Sequence, residues 1–197
     1  MRLSTLALGA ALLAAVPWLG QAQEMAIDTQ RSSITIHVGK TGLFSAAAHD
    51  HTINAPISSG SMSGSGRESG TPHIEFMVES AKMTVKADPK VDAKTQATIQ
   101  KDMEEMTLET KKFPEVRFHS SRIEKLGAGQ WKVDGDLSLH GVTKPVSLTV
   151  KQSGESYTTH TVLKQTDFGI KPISIGGGMI KVKNELELDF EIFGRPG

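Results

Sequence analysis

The sequence predicts an all-β domain with a single helix, arranged as a sandwich or a closed barrel. Several stretches alternate apolar and polar residues, and segments rich in Gly, Pro and Ser separate them. Successive side chains of a strand point to opposite faces, so this alternation indicates strands with one buried apolar face and one solvent-exposed polar face. We count about eight strands, and closure into a barrel would remove exposed strand edges that invite aggregation.

The strands follow one another along most of the chain. Residues 157–163 are rich in Thr and indicate a further strand, whereas residues 58–70 have the composition of a hairpin tip and residues 176–178 that of a turn. The apolar positions of the alternating stretches are Ile34, Ile36 and Val38; Ile74, Phe76 and Val78; Val116 and Phe118; Trp131, Val133, Leu137 and Leu139; Val146, Leu148 and Val150; and Ile180, Val182, Leu186, Leu188, Phe190 and Ile192.

One segment, residues 92–106, has no alternation and predicts the helix. Asp92 is a suitable N-cap residue. The apolar residues that fall close to one helical stripe are Ala93, Ala97, Ile99, Met103 and Met106. We expect one amphipathic helix that lies across a barrel mouth, plugs the core, or does both.

The first residues predict export from the cytoplasm. Arg2 precedes an apolar run over residues 3–16, Pro17 ends the run, and Gly20 and Ala22 are small residues of the kind a signal peptidase reads. The run is too short to cross a bilayer comfortably. The sequence therefore predicts a signal peptide over residues 1–22 and a periplasmic or secreted domain over residues 23–197, with an uncleaved anchor as the alternative.

The composition excludes several classes of function. The 22 basic and 22 acidic residues give a formal charge of zero, and aromatic residues make up only 5%. There is no basic cluster for a nucleic-acid backbone and little aromatic surface for stacking bases. The chain has no cysteine, so the domain must be stabilised by packing without disulfides.

The sequence offers little for catalysis. There is no cysteine nucleophile and no Gly-x-Ser-x-Gly elbow between a strand and a helix. The adjacent Glu104 and Glu105 diverge on a helix, so they indicate a solvated face. We therefore expect a protein that is not an enzyme and needs no cofactor.

One pair of histidines invites a metal interpretation. His49 and His51 would point the same way on a strand, and two imidazoles with a third ligand from His37 or His119 could hold Zn or Cu. The alternatives are a polar contact to a ligand head group and a purely structural role.

The apolar residues are the most informative ones. A barrel of about eight strands either fills with side chains or holds one small ligand, so these residues form an ordinary core or the wall of a soft cavity. The candidates for the lumen are Phe44, Phe76, Met103, Met106, Phe118, Trp131, Leu137, Leu139, Phe168 and Phe190.

Three stretches in the right order resemble the YceI-like family. They are KFPEVRFHS at 112–120, GDLSLHGVTKPV at 135–146 and TDFGI at 166–170, and Ile27 with Asp28 fits the family's opening. The resemblance spans residues 27–192. It implies an extended antiparallel lipocalin-like barrel that binds a polyisoprenoid or another long amphiphile. Residues 46–51 depart from the family pattern, which makes His49 and His51 candidates for a different polar contact.

The resemblance implies a lipid carrier or sequestering protein as the first hypothesis, with a homodimer among the possible assemblies. A second hypothesis is an accessory module of membrane electron transport that handles quinone-like lipids. A third, from the residues themselves, is a metal-binding stress protein that uses His49 and His51.

Overall fold

The computed structural model describes residues 24–44, 49–63 and 72–195; the predicted signal peptide lies outside them. In this part of the chain one α-helix, α1 (Ala93–Asp102), continues into a π-helical turn, Met103–Thr107. The strands are β1 (Glu24–Ile27), β2 (Ser33–Thr41), β3 (His51–Ala55), β4 (Ser59–Ser63), β5 (His73–Glu79), β6 (Thr84–Val85), β7 (Glu115–Gly127), β8 (Gln130–Leu139), β9 (Val142–Ser153), β10 (Ser156–Lys164), β11 (Ser174–Ile175) and β12 (Ile180–Arg195).

The strands close into an eight-stranded antiparallel barrel. β12 pairs with β1 near its C-terminal end and with β2 along most of its length, so β1 and β2 act as one kinked strand. At the next position around the barrel, β4 pairs with β1 and β3 pairs with β2, so β3 and β4 form a second kinked strand. β5 then pairs with β4 and β6 pairs with β3, so β5 and β6 form a third. Together with β7, β8, β9, β10 and β12, these three kinked strands make eight. The predicted fold class is confirmed.

The connection between β8 and β9 shows how local sequence shapes the barrel. Leu139 pairs with Val142, and the two residues between them, His140 and Gly141, have φ of 53° and 76°. Two positive φ values are typical of the type I′ hairpin turn, whose twist matches that of the flanking strands. His140 therefore occupies a backbone region that non-glycine residues seldom adopt.

Helix α1 closes the edge of β6 with its polar side chains. The Asp92 carboxylate accepts a hydrogen bond from the Thr95 N–H at 3.0 Å, so the predicted N-cap is correct. Gln100 accepts from the Val85 N–H at 2.8 Å and donates to the Met83 carbonyl at 2.9 Å. None of the helices in the described ranges is long and apolar enough to span a membrane.

The predicted apolar stripe of the helix is only partly correct. Ile99 and Met103 face the barrel, whereas Ala93 and Ala97 are exposed. Met106 is 66% exposed. A π-helical turn has more residues per turn than an α-helix, so Met106 is rotated away from the face that Met103 occupies.

The segment predicted as a hairpin tip contains a strand. β4 occupies Ser59–Ser63, and its last two residues, Met62 and Ser63, are buried. Register with β5 places Ser63 opposite His73 and Met62 opposite Ile74. The composition of this segment concealed the strand because small polar residues predominate in it. Residues 64–71 lie outside the described ranges.

A candidate ligand-binding lumen

The inward side chains leave two apolar cavities inside the barrel. The first, which we name the Trp131 chamber, has a volume of about 100 Å³. The second, the helix chamber, has a volume of about 160 Å³. The Trp131 chamber includes Met25, Met62, Ile123, Trp131, Leu148 and Tyr157 in its wall. The helix chamber includes Ile36, Met83, Met103, Leu137, Leu163 and Leu186.

Phenylalanine rings lie at the boundary between the chambers. Phe76 and Phe190 line both. The Phe76 ring centroid lies 5.4 Å from that of Phe118 and 6.2 Å from that of Phe190. We name these three residues the aromatic partition. The lumen is therefore neither solidly filled nor one open tunnel.

Two glycines leave room for the aromatic partition. A Cβ atom on Gly135 would lie 2.6 Å from Cζ of Phe118, and a Cβ on Gly60 would lie 3.0 Å from Cβ of Phe76. Both distances are shorter than ordinary van der Waals contact. Gly135 thus lets the Phe118 ring pack directly against the barrel backbone, and Gly60 leaves room for the first side-chain carbon of Phe76.

Polar groups in the wall of the Trp131 chamber pair with one another. The Ser63 Oγ and His73 Nδ1 atoms are 2.8 Å apart, and the Ser63 Oγ accepts from the His73 backbone N–H at 3.2 Å. His73 Nε2 lies 3.9 Å from Oε1 of Glu24, beyond hydrogen-bond distance. The Tyr157 hydroxyl accepts from Gln152 Nε2 at 3.2 Å.

The helix chamber has its own polar groups. Gln165 is buried and donates to the Lys183 carbonyl at 2.7 Å. His51 lies in the wall. Burial lowers the pKa of His51, and the nearby His49 lowers it further. The His51 imidazole therefore favours its neutral form, which suits an apolar chamber.

Most of the residues predicted to face the lumen do so. Phe118 and Trp131 line the Trp131 chamber, and Phe76 and Phe190 line both chambers. The predicted residues that line only the helix chamber are Met103, Leu137 and Leu139. Contact of any of them with a ligand stays a prediction.

Three residues predicted to face the lumen lie elsewhere. Phe44 is 57% exposed, because it lies in a turn beyond β2, where its N–H donates to the Met179 carbonyl. Met106 is turned outward by the π-helical turn, as described above. Phe168 is only 2% exposed but lies in a short 3₁₀ turn, Gln165–Phe168, and lines neither chamber.

The histidine pair does not share a strand face. β3 begins at His51, whereas His49 precedes it and its Nδ1 lies 3.7 Å from Oδ2 of Asp88. Among the described residues, no group of three His, Cys, Asp or Glu side chains is arranged to hold a metal ion. The geometry thus gives the metal hypothesis no support.

Sequence reasoning missed several residues of the Trp131 chamber. Met25, Ser63, His73 and Tyr157 were not among the candidates, yet all four line it. Ser63 and His73 meet through the register of β4 with β5, and the polar composition around Ser63 hid that strand. The Thr-rich segment did predict the strand that carries Tyr157.

The fold and the lumen together define a class: a closed antiparallel barrel of the lipocalin-like type with an apolar interior. The model of the YceI-like domain matches residues 25–193. The chain therefore belongs to the YceI-like family, and the predicted family is confirmed.

Relatives and solved structures agree with this assignment. A UPF0312 protein of Pseudomonas putida (strain W619) is 35% identical over 97 residues, which are 44% of this chain and 47% of the relative. A UPF0312 protein of Shewanella denitrificans is 35% identical over 92 residues, 42% of this chain and 48% of the relative. The match thus spans about half the length of these curated relatives.

Two solved structures share the fold. BcnA of Burkholderia cenocepacia has a TM-score of 0.61 at 15% identity, covering 84% of this chain and 98% of its own. A polyisoprenoid binding domain from Saccharophagus degradans has a TM-score of 0.58 at 14% identity, covering 89% and 99%. At these identities the likeness concerns the fold alone.

Proposed function

We propose that this protein is a periplasmic, non-enzymatic carrier or sequestering protein for a polyisoprenoid or a similar long-chain amphiphile. The observation that supports the proposal is the pair of apolar chambers in the barrel interior. Enclosing an alkyl chain stabilises it by about 0.8 kcal/mol for each buried methylene. Binding by this route needs no catalytic group. The Saccharophagus degradans domain, described as polyisoprenoid binding, has the same fold.

The lining suits a flexible apolar ligand. Methionines occur in both chambers: Met25 and Met62 in one, Met83 and Met103 in the other. Methionine side chains are unbranched and polarizable, so they adapt to irregular shapes. A ligand that extends through both chambers must pass the aromatic partition, and we propose that the Phe76 and Phe190 rings turn aside to admit it.

The test uses a matched pair of substitutions on neighbouring residues of β10. Leu163 lines the helix chamber, whereas Val162 is 51% exposed. Leu163→Trp fills the lumen, and Val162→Trp adds the same ring outside. We expect the unaltered protein and Val162→Trp to bind geranylgeraniol in a fluorescence titration and to retain it in native mass spectrometry. Leu163→Trp should bind it at least about tenfold more weakly.

Two outcomes would overturn the proposal. One is a protein that takes up neither geranylgeraniol nor the longer solanesol. The other is equal binding by the two tryptophan variants, which would place the lipid outside the barrel. The membrane electron-transport partner and the homodimer stay predictions.

A further inference from the structure

Four exposed apolar side chains cluster at one corner of the barrel, and we name them the apolar corner: Leu43, Phe44, Ile175 and Met179. Leu43 is 92% exposed and Ile175 61%. The other large apolar side chains that are exposed in the described ranges lie on separate elements and are Met106, Leu126 and Val162. Isolated exposed apolar residues are ordinary, whereas several together mark a surface that meets another molecule.

Backbone contacts bring the two segments of the apolar corner together. The Phe44 N–H donates to the Met179 carbonyl at 3.0 Å. Ile175 pairs with Ile180, the residue after Met179. A Cβ on Gly176 would lie 3.0 Å from Cε of Met179, so the methionine side chain lies over this turn. The four apolar side chains therefore belong to one surface and not to two separate loops.

Lysines accompany the apolar corner. Residues 38–44 and 170–184, the two segments that carry it, contain no Asp or Glu. Their charged residues are Lys40, Lys171, Lys181 and Lys183. A Cβ on Gly178 would lie 2.8 Å from Cε of Lys181, so this side chain lies against the turn that bears Met179. The border of the apolar corner is therefore basic.

Neighbouring carboxylates limit this positive charge. The outer groove that Lys181 and Lys183 line also contains three carboxylates, those of Asp50, Glu185 and Glu187. We therefore expect the apolar residues to give most of the affinity for a partner, and the lysines to select its charge. An apolar centre with a basic border is complementary to a phospholipid bilayer with anionic head groups.

The apolar corner adjoins the helix chamber. Ile173, two residues before Ile175, and Val182, three residues after Met179, line the wall of that chamber. The Val182 N–H donates to the Ile173 carbonyl at 2.9 Å, which ties the two segments together. A bilayer that meets this corner would therefore lie next to the helix chamber. A carrier of a water-insoluble lipid must exchange it with a membrane, so this position suits the function proposed above.

We propose that the apolar corner docks the protein onto a bilayer that contains anionic phospholipids. Leu43 and Ile175 enter the membrane interface, and the ammonium groups of Lys171 and Lys181 meet the head groups. The four apolar residues of this surface line neither chamber. Docking is thus a separate event from lipid binding in the lumen, and either can fail without the other.

The experiment places an environment-sensitive fluorophore at the apolar corner. The chain has no cysteine, so Leu43→Cys gives the full chain one thiol for an NBD label. Leu126→Cys is the matched control, because Leu126 is also exposed but lies on β7. Vesicles of equal parts phosphatidylglycerol and phosphatidylcholine are added to each labelled protein. We expect the label at position 43 to shift to the blue and to be quenched by nitroxide-labelled acyl chains, and the label at position 126 to do neither.

Further substitutions in the protein labelled at position 43 separate the apolar and the charged parts of the surface. Ile175→Ser should weaken the vesicle titration about three- to tenfold, whereas Val162→Ser should leave it within about twofold. Lys181→Gln should weaken it about fivefold, the contribution of one lysine near an anionic surface. Lys151→Gln should leave it unchanged, because Lys151 is exposed on β9 near the turn into β10.

Any of three results would show that the corner does not dock on an anionic bilayer. The label at position 43 stays in water when vesicles are added, or neutral phosphatidylcholine vesicles shift it as strongly as anionic ones. The third is a shift that follows protein concentration without vesicles, which would mean that a second copy of the chain covers the corner. If the label responds but the unaltered protein takes up no geranylgeraniol, docking stands and the proposed carrier function fails.

Discussion

Gly135 lies against the aromatic partition, where a side chain cannot fit. A methyl group there would meet the Phe118 ring at 2.6 Å and the His119 carbonyl oxygen at 2.5 Å. We expect Gly135→Ala to lower the free energy of unfolding by about 1–3 kcal/mol, as overpacking does. Urea denaturation followed by circular dichroism measures the change.

Gly127 provides the control on the neighbouring strand. A Cβ there meets nothing within 4 Å, so Gly127→Ala should change stability by less than about 1 kcal/mol. An equal loss in both variants would contradict the close packing at Gly135.

Asp189 predicts a pH dependence of stability. On the outer surface its Oδ1 lies 2.8 Å from His160 Nδ1 and its Oδ2 lies 3.0 Å from His37 Nε2. The hydrogen bond to His160 lowers the pKa of Asp189, and that to His37 adds to the effect. A carboxyl whose pKa is lower in the folded state stabilises the fold above its unfolded pKa, and this contribution disappears as pH falls through the folded pKa.

The test compares the unaltered protein with Asp189→Asn in urea. The unaltered protein should be more stable at about pH 6, and the gap between them should shrink at about pH 3, below the ordinary pKa of aspartate. A gap that stays constant or widens on acidification would show that the two imidazoles do not stabilise the ionised carboxylate.

Single residues were predicted from the sequence where alternation alone decides their direction. Phe76, Leu137 and Phe190 face the lumen because each occupies an inward position of a long strand. Ser63 and His73 were not predicted as lumen residues, because their contact depends on the register between β4 and β5, and composition does not reveal that register.

At the scale of elements, helix α1 is held to the barrel by side-chain amides. Gln100 bridges the Val85 N–H and the Met83 carbonyl, so it occupies both kinds of group on an open strand edge. We expect Gln100→Ala to cost about 1–2 kcal/mol of stability and to speed amide hydrogen exchange at Val85 and along α1. Mass spectrometry of exchanged peptides measures both regions.

Lys94→Ala is the matched control, because Lys94 is exposed in the same helix. It should leave exchange at Val85 unchanged. If both variants accelerate exchange equally, the helix is held by something other than the amide of Gln100.

The helix itself was predictable, but its attachment was not. Asp92 indicated the first turn, and the absence of alternation indicated the type of element. The expected apolar stripe failed at Ala93 and Ala97, which are exposed, since here polar side chains satisfy the edge of β6. The π-helical turn that redirects Met106 has no signature in the local sequence.

At the scale of the whole molecule, we expect the aromatic partition to set how much of the lumen a ligand can use. Phe76→Leu removes ring atoms between the two chambers and should join them, at a cost of about 1 kcal/mol. We expect this variant to gain affinity for solanesol relative to geranylgeraniol. Competition between the two lipids, read by native mass spectrometry, measures the preference.

Phe193→Leu is the control for this change. Phe193 lies on the same strand as Phe190, but its ring packs under the Arg31 guanidinium and lines neither chamber. It should leave the preference for chain length unchanged. An unaltered preference in Phe76→Leu would mean that the rings do not limit the ligand.

The closed barrel could be predicted from the sequence, and the division of its interior could not. Alternation and turn residues specify strands with a polar, solvent-facing outer side, and such strands favour a closed barrel. Whether the inward side chains meet in the middle of the barrel depends on where the rings lie, as with Phe118 over Gly135, and this placement arises only from the packed strands.

The seam between β1 and β12 consists of two residue pairs, Ala26 with Arg195 and Ile27 with Gly194. These partners come from opposite ends of the described chain, so joining them carries the entropy of closing a very long loop. The strands β7 to β10, in contrast, pair with their neighbours in sequence, and such local contacts form early in folding. We therefore expect the interior to become enclosed only at a late step of folding, when this seam forms.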